Sequence, residues 1–104
     1  MRILCLCSQG NKRSVSTRYI LNHVHDTLAA GIDVNSADTI ELLCQWADVI
    51  LMAEPKMIMQ IPANYQHKVD TMFMIGPDVY DSNRSKTLED LITPKLKILG
   101  YIKE

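Results

Sequence analysis

The sequence is short of several things, and each shortage narrows what the protein can be. No apolar run approaches the roughly 18–20 residues that a membrane-crossing helix needs, and no signal-peptide pattern precedes the first apolar stretch. A reducing, cytoplasmic location is therefore expected, with no membrane as partner. Charge of one sign is also lacking. Lys and Arg number 11 against 12 Asp and Glu, for a net charge of -1, so no nucleic acid is expected as a partner. The three cysteines, Cys5, Cys7 and Cys44, form an odd set without zinc-like spacing. Cys5 and Cys7 are i,i+2 neighbours, which a strand turns to one face and too close for a disulfide, so all three read as free thiols. His23 and His25 do not share a helix face. No metal and no cofactor are expected. Repeats, linkers and low-complexity tracts are missing as well. What is there is an ordinary globular composition, 47% hydrophobic and 22% charged over 104 residues, which argues for a single domain spanning 1–104. Nothing in it fixes an oligomeric state.

Residues 2–7, R-I-L-C-L-C, are almost continuously apolar, as in a strand covered on both sides. Residues 8–13 form a polar loop. From Ser14 the period changes. Val15, Ile20, Leu21, Val24 and Leu28 make a helical stripe that predicts a helix to about Ala30, with Gly31 as its stop. I-D-V at 32–34 reads as a second strand. Asp38, with Glu41 three residues on, predicts a capped helix that turns Ile40, Leu43, Cys44 and Ala47 inward. A-D-V-I-L-M-A at 47–53 is a third strand, ended by Glu54-Pro55. A short helix or turn is expected over 55–61 and a fourth strand over 69–75. Gly76-Pro77-Asp78 makes a turn, and a last helix runs over about 85–99, interrupted or kinked by Pro94. The pattern predicts an α/β fold, a small doubly wound four-stranded parallel sheet with helices on both faces. Ligands of such sheets bind beyond the carboxyl ends of the strands, where Cys7, Glu54 and the 76–80 turn would meet.

The loop C-S-Q-G-N-K-R-S, from Cys7 to Ser14, joins the first strand to a helix N-terminus. Unpaired N–H groups and the positive dipole end lie there, and a compact loop aims further N–H groups inward to make an anion nest. Ser8, Gln9, Gly10, Asn11 and Lys12 are the candidate phosphate-binding backbone. Gly10 supplies backbone freedom, and Asn11 tolerates the left-handed region. Arg13 adds planar donors for two oxygens. Cys7 sits at the floor, where a positive field favours its thiolate, and Ser14 can donate a hydrogen bond to it. A nucleophile beneath a bound oxyanion suits transfer of a phosphoryl group to sulfur and then to water, with no metal required.

This Cys-x5-Arg-Ser loop directly after a first strand resembles that of the low-molecular-weight protein tyrosine phosphatase superfamily, and looks closest to a compact branch described as predicted protein tyrosine phosphatases. The segment L-x-x-W-A-D-V-I-L-M-A-E at 43–54 is similar to that branch's helix-to-strand segment, and G-P-D-V-Y at 76–80 resembles its acidic loop. The resemblance implies that Cys7 is the nucleophile, that Arg13 binds phosphate and that Ser14 tunes the thiolate. It further implies Asp78 as general acid, with Asp81 as competitor, and Tyr80 as a wall of the pocket. The substrate implied is a phosphorylated protein or a small aryl phosphate. The segment departs from the family pattern in several respects. Gly10 and Asn11 stand one place later, Lys12 replaces a second cysteine before the arginine, and Val15 and Arg18 stand where many members have proline and an acidic residue.

Two other functions share these residues. One is a phosphocysteine carrier resembling a sugar phosphotransferase IIB component, in which small hydroxyl residues usually stand where Arg13 is. The other is an inactive phosphate- or phosphoprotein-binding module.

Overall fold

A computed structural model describes residues 1–10, 12–76 and 86–103. Asn11 and the 77–80 part of the G-P-D-V-Y segment, with Asp78, Tyr80 and the alternative Asp81, lie outside the described residues. The chain alternates strands and helices in the order β1 (Arg2–Cys7), α1 (Arg13–Leu21), β2 (Asp26–Gly31), α2 (Ala37–Trp46), β3 (Val49–Met52) and α3 (Lys86–Ile98). Two 3-10 helices, Pro55–Gln60 and Ala63–Lys68, follow β3. The fold is α/β, with a parallel three-stranded sheet ordered β2-β1-β3. Arg2 pairs with Asp26 through to Cys7 with Gly31, and Ile3 with Val49 through to Leu6 with Met52. The most apolar strand, β1, is thus the central one, as its five consecutive buried residues require.

Successive residues of β1 feed two separate cores. Leu4 and Leu6 pack with Ile50 and Met52 of β3 and with Ile40 and Cys44 of α2. Ile3 and Cys5 pack with Leu51, with Leu21 of α1 and with Leu88, Ile92 and Leu96 of α3. Cys7 joins the first cluster and Cys5 the second, so the two thiols do not share one environment as their spacing suggested. All three cysteines are free.

The first helix is much shorter than its apolar stripe predicts. It ends at Leu21, Asn22 being its C-cap, and residues 26–31 leave it to become β2. Val24 and Leu28 continue the helical spacing, yet they are 61% and 37% exposed. The force that decides is not local. A bare central strand has backbone groups to satisfy on both edges, and D-T-L-A-A-G satisfies one edge along its full length. Gly31 therefore ends a strand instead of stopping a helix, and 32–34 is a turn beyond it. The buried side of α1 is polar: Arg13, Ser14, Ser16 and Thr17 lie inside with Leu21. Such a face needs partners, and Thr17 Oγ1 donates to the Arg13 carbonyl at 2.8 Å.

Helix α2 forms where expected, but its cap is Ser36, whose hydroxyl accepts the Thr39 N–H at 3.2 Å. The far end is closed by Lys68, whose ammonium donates to the carbonyls of Cys44 at 2.9 Å and Ala47 at 2.7 Å. Helix α3 runs through Pro94 without ending.

The fourth strand expected over 69–75 is not shown; the described residues make a single parallel bridge, Ile50 to Val69. Asp70 explains the interruption, because its side chain accepts the Met72 N–H at 2.9 Å and folds the chain into a turn. Past that turn, the Ile75 and Gly76 N–H groups both donate to the carbonyl of Ala53, the residue directly after β3. That second contact brings Gly76 to the end of the sheet where Cys7 stands.

Candidate active site

The site begins with a strand end. Cys7 is the last residue of β1, and its carbonyl still accepts the Ile32 N–H at 2.8 Å. One residue on, the Ser8 carbonyl accepts the Asp33 N–H at 2.9 Å. The loop is thereby tied to the chain leaving β2. It then turns sharply at Gly10, whose φ of 74° lies in the left-handed region.

Gly10 and Gly31 stand backbone to backbone. A Cβ on Gly31 would lie 2.3 Å from the Gln9 carbonyl carbon, and one on Gly10 would lie 2.5 Å from the Gly31 nitrogen. Neither position has room for a side chain, and the obstructing atoms are main chain, which cannot swing away. Gly31 was legible in the sequence only as a helix stop. Its place against the loop depends on β2, which local pattern did not reveal.

Beneath the turn, Cys7 Sγ accepts the Gly10 N–H at 3.2 Å and lies 3.1 Å from Ser14 Oγ. Burial by itself pushes the Cys7 thiol up. The Ser14 hydroxyl and the N–H groups of Ser14, Gly10 and Lys12 act the other way and prevail, so its pKa falls below the ordinary thiol value. Cys5, two residues earlier, has no such donors. Burial pushes its thiol far up, Arg18 offsetting only part of this. Cys44 is also raised, chiefly by burial. Of the three cysteines, Cys7 is the one whose thiol is shifted toward ionisation.

Arg13, the first residue of α1, is 1% exposed. A buried guanidinium must be paired, and its partners come from distant parts of the chain. Nη1 donates to Glu54 Oε1 and to the Gly76 carbonyl, the latter at 2.6 Å. Nη2 donates to the Ser8 hydroxyl at 3.0 Å. Nε is buried and has no hydrogen-bond partner among the described residues. The hydrogen bond from Arg13 holds the Glu54 carboxyl below the usual carboxylate range, against the cost of desolvating it, and Lys56 adds to the effect.

The structure thus brings Cys7, Ser8, Gly10, Arg13, Ser14, Glu54 and Gly76 to one end of the sheet. Gln9 is exposed and Lys12 half-buried in the same loop. In the sequence, Glu54 reads only as a residue bordering the cleft; nothing local reveals that it pairs with a residue 41 positions earlier. A cavity of about 280 Å³ lined by Met1, Asn22, His23, Val24, His25 and Asp26 lies at the other end of β1 and touches none of these groups. The thiol of lowered pKa and the buried arginine both lie at the loop and not at that cavity. Among the described residues no group of three or more His, Cys, Asp and Glu side chains could hold a metal ion, and no helix is long and apolar enough to cross a membrane.

A scan against protein-family models, a search of the curated proteins and a search of the solved structures each find no match.

Proposed function

We propose that this protein is a cysteine-dependent phosphomonoester hydrolase, with phosphotyrosine in a protein or a small aryl phosphate as substrate. One observation carries the reading. A thiol of lowered pKa, held by the Gly10 N–H and the Ser14 hydroxyl, shares its loop with a buried arginine whose Nε–H is unpartnered. An arginine edge that includes Nε is suited to two oxygens of one phosphoryl group, and the unpartnered N–H is a donor that such a group would satisfy.

The Cys7 thiolate attacks phosphorus while the P–O ester bond breaks. The leaving phenolate takes a proton from a general acid, a role the family resemblance gives to Asp78. Water then attacks the phosphocysteine, the P–S bond breaks, and the same carboxylate accepts the water's proton. Arg13 and the loop N–H groups stabilise the charge spread over the transferring oxygens. Glu54 and the Gly76 carbonyl fix the guanidinium, so little reorganisation is needed when phosphate arrives.

The same reading takes the scaffold as doubly wound, with the segment 69–75 lying along the β3 edge in the place of a fourth strand without forming its ladder. It also takes the protein as cytoplasmic, since a free thiolate nucleophile persists only under reducing conditions.

The test is hydrolysis of an aryl phosphate by reduced protein without added metal, comparing wild type with Cys7→Ser. Turnover lost with Cys7→Ser supports the hydrolase. Phosphate held on the cysteine without turnover would instead mark a phosphocysteine carrier, and phosphate binding with neither would mark a binding module.

A further inference from the structure

Glu54 creates an electrostatic problem for the anion site. Its carboxylate neutralises Arg13, and it does so beside the place where an oxyanion would sit. The Arg13–Glu54 pair has no net charge, and a phosphoryl group approaching it would meet the carboxylate as well as the guanidinium. A second cation answers this. Lys56 Nζ lies 3.3 Å from Glu54 Oε2, the oxygen not used by Arg13. The three groups form a chain, guanidinium to carboxylate to ammonium, with a net positive charge.

The two cations differ in exposure. The Arg13 side chain is 1% exposed and that of Lys56 is 76% exposed. An exposed lysine–carboxylate pair adds little to stability, so folding alone gives weak reason for this arrangement. An ammonium has three donors, and Lys56 has no partner besides Glu54 among the described residues. Its position is set by the chain. Pro55 opens the 3-10 helix Pro55–Gln60 directly after Glu54, and Lys56 is the second residue of that turn.

We propose that Lys56 is a recognition residue for a second anionic group, so that the substrates of this site are phosphomonoesters carrying another phosphate or carboxylate close to the reacting phosphoryl. The inference rests on the anion site described under the proposed function. Arg13 takes the phosphoryl group at the buried end of the chain of charges, and Lys56 takes the neighbouring anion at the exposed end, one carboxylate away.

Two non-hydrolysable probes separate these roles: methylphosphonate, with one anionic group, and methylenediphosphonate, with two. Calorimetric titration of the reduced protein should show the diphosphonate bound about tenfold more tightly or better, the scale of a hydrogen bond to a charged group. In Lys56→Gln the ratio should fall to about the twofold that a second equivalent phosphonate gives by statistics. Lys56→Arg should restore it, since charge is kept. If wild type binds methylphosphonate but shows no preference, or if Lys56→Gln keeps the preference, the role of Lys56 is overturned and the anion site stands. If neither probe binds, the anion site itself is wrong and this inference falls with it.

Discussion

Cys7 Sγ and Ser14 Oγ stand 3.1 Å apart, where the end of β1 meets the first turn of α1. In the thiol form the S–H donates to the hydroxyl; in the thiolate form the hydroxyl donates to sulfur. Only the second arrangement is strengthened by charge, and together with the N–H groups of Ser14, Gly10 and Lys12 it outweighs the cost of burial.

Ser14→Ala should therefore raise the Cys7 pKa. The ultraviolet absorbance of the thiolate, followed against pH with Cys7→Ser as the blank, should show the midpoint moving up by about one pH unit, the scale of one charge-assisted hydrogen bond. An unmoved midpoint would mean that the backbone donors suffice without the hydroxyl.

Glu54→Gln should weaken both stability and catalysis. It leaves a buried guanidinium with a neutral partner, at a cost of about 1–3 kcal/mol in urea unfolding at neutral pH. The pH dependence has a definite sign. The folded Glu54 pKa is depressed, so its contribution is fully present above the ordinary carboxyl value of about 4.3 and is lost as pH falls through the folded value. The gap between wild type and Glu54→Gln should be wide at pH 7 and close in acid. A gap that stayed constant with pH would show that charge is not its source.

Gly31→Ala should damage the loop without touching the nucleophile. The added methyl meets the Gln9 main chain at 2.3 Å, so the loop must move or β2 must shift, at about 1–3 kcal/mol for overpacking. Thermal unfolding should register the loss of stability, and the thiolate midpoint should rise because the Gly10 N–H is displaced from sulfur. Wild-type values for both would contradict the close approach of the two glycines.

Much of this was legible in the sequence, and the limits have physical causes. β1 declares itself because it is buried on both sides and needs an unbroken apolar run. The Cys7–Ser14 loop is readable because strand, glycine, arginine and helix start are contiguous. α2 and β3 are readable because their apolar spacing agrees with their flanking signals, Glu54-Pro55 above all. β2 was hidden. Leu21, Val24 and Leu28 keep a helical rhythm, and only pairing with β1 turns 26–31 into a strand, a non-local preference. The ion pair of Arg13 with Glu54 and the packing of Gly10 on Gly31 follow from that pairing and from the order β2-β1-β3, so no local signal could announce them. The fourth strand failed for the opposite reason. V-D-T-M-F-M-I has strand composition, but the Asp70 side chain captures the Met72 N–H and bends the chain away from the ladder.

The central claim is that the Cys7 sulfur accepts a phosphoryl group. Rapid acid quenching of reduced protein mixed with an aryl phosphate, followed by mass analysis of its peptides, reads this directly. The account predicts a burst of the phenol approaching one equivalent per chain, with phosphate on the peptide containing Cys7, and neither in Cys7→Ser. Phenol release equal in wild type and Cys7→Ser, with no phosphate on Cys7, would contradict it.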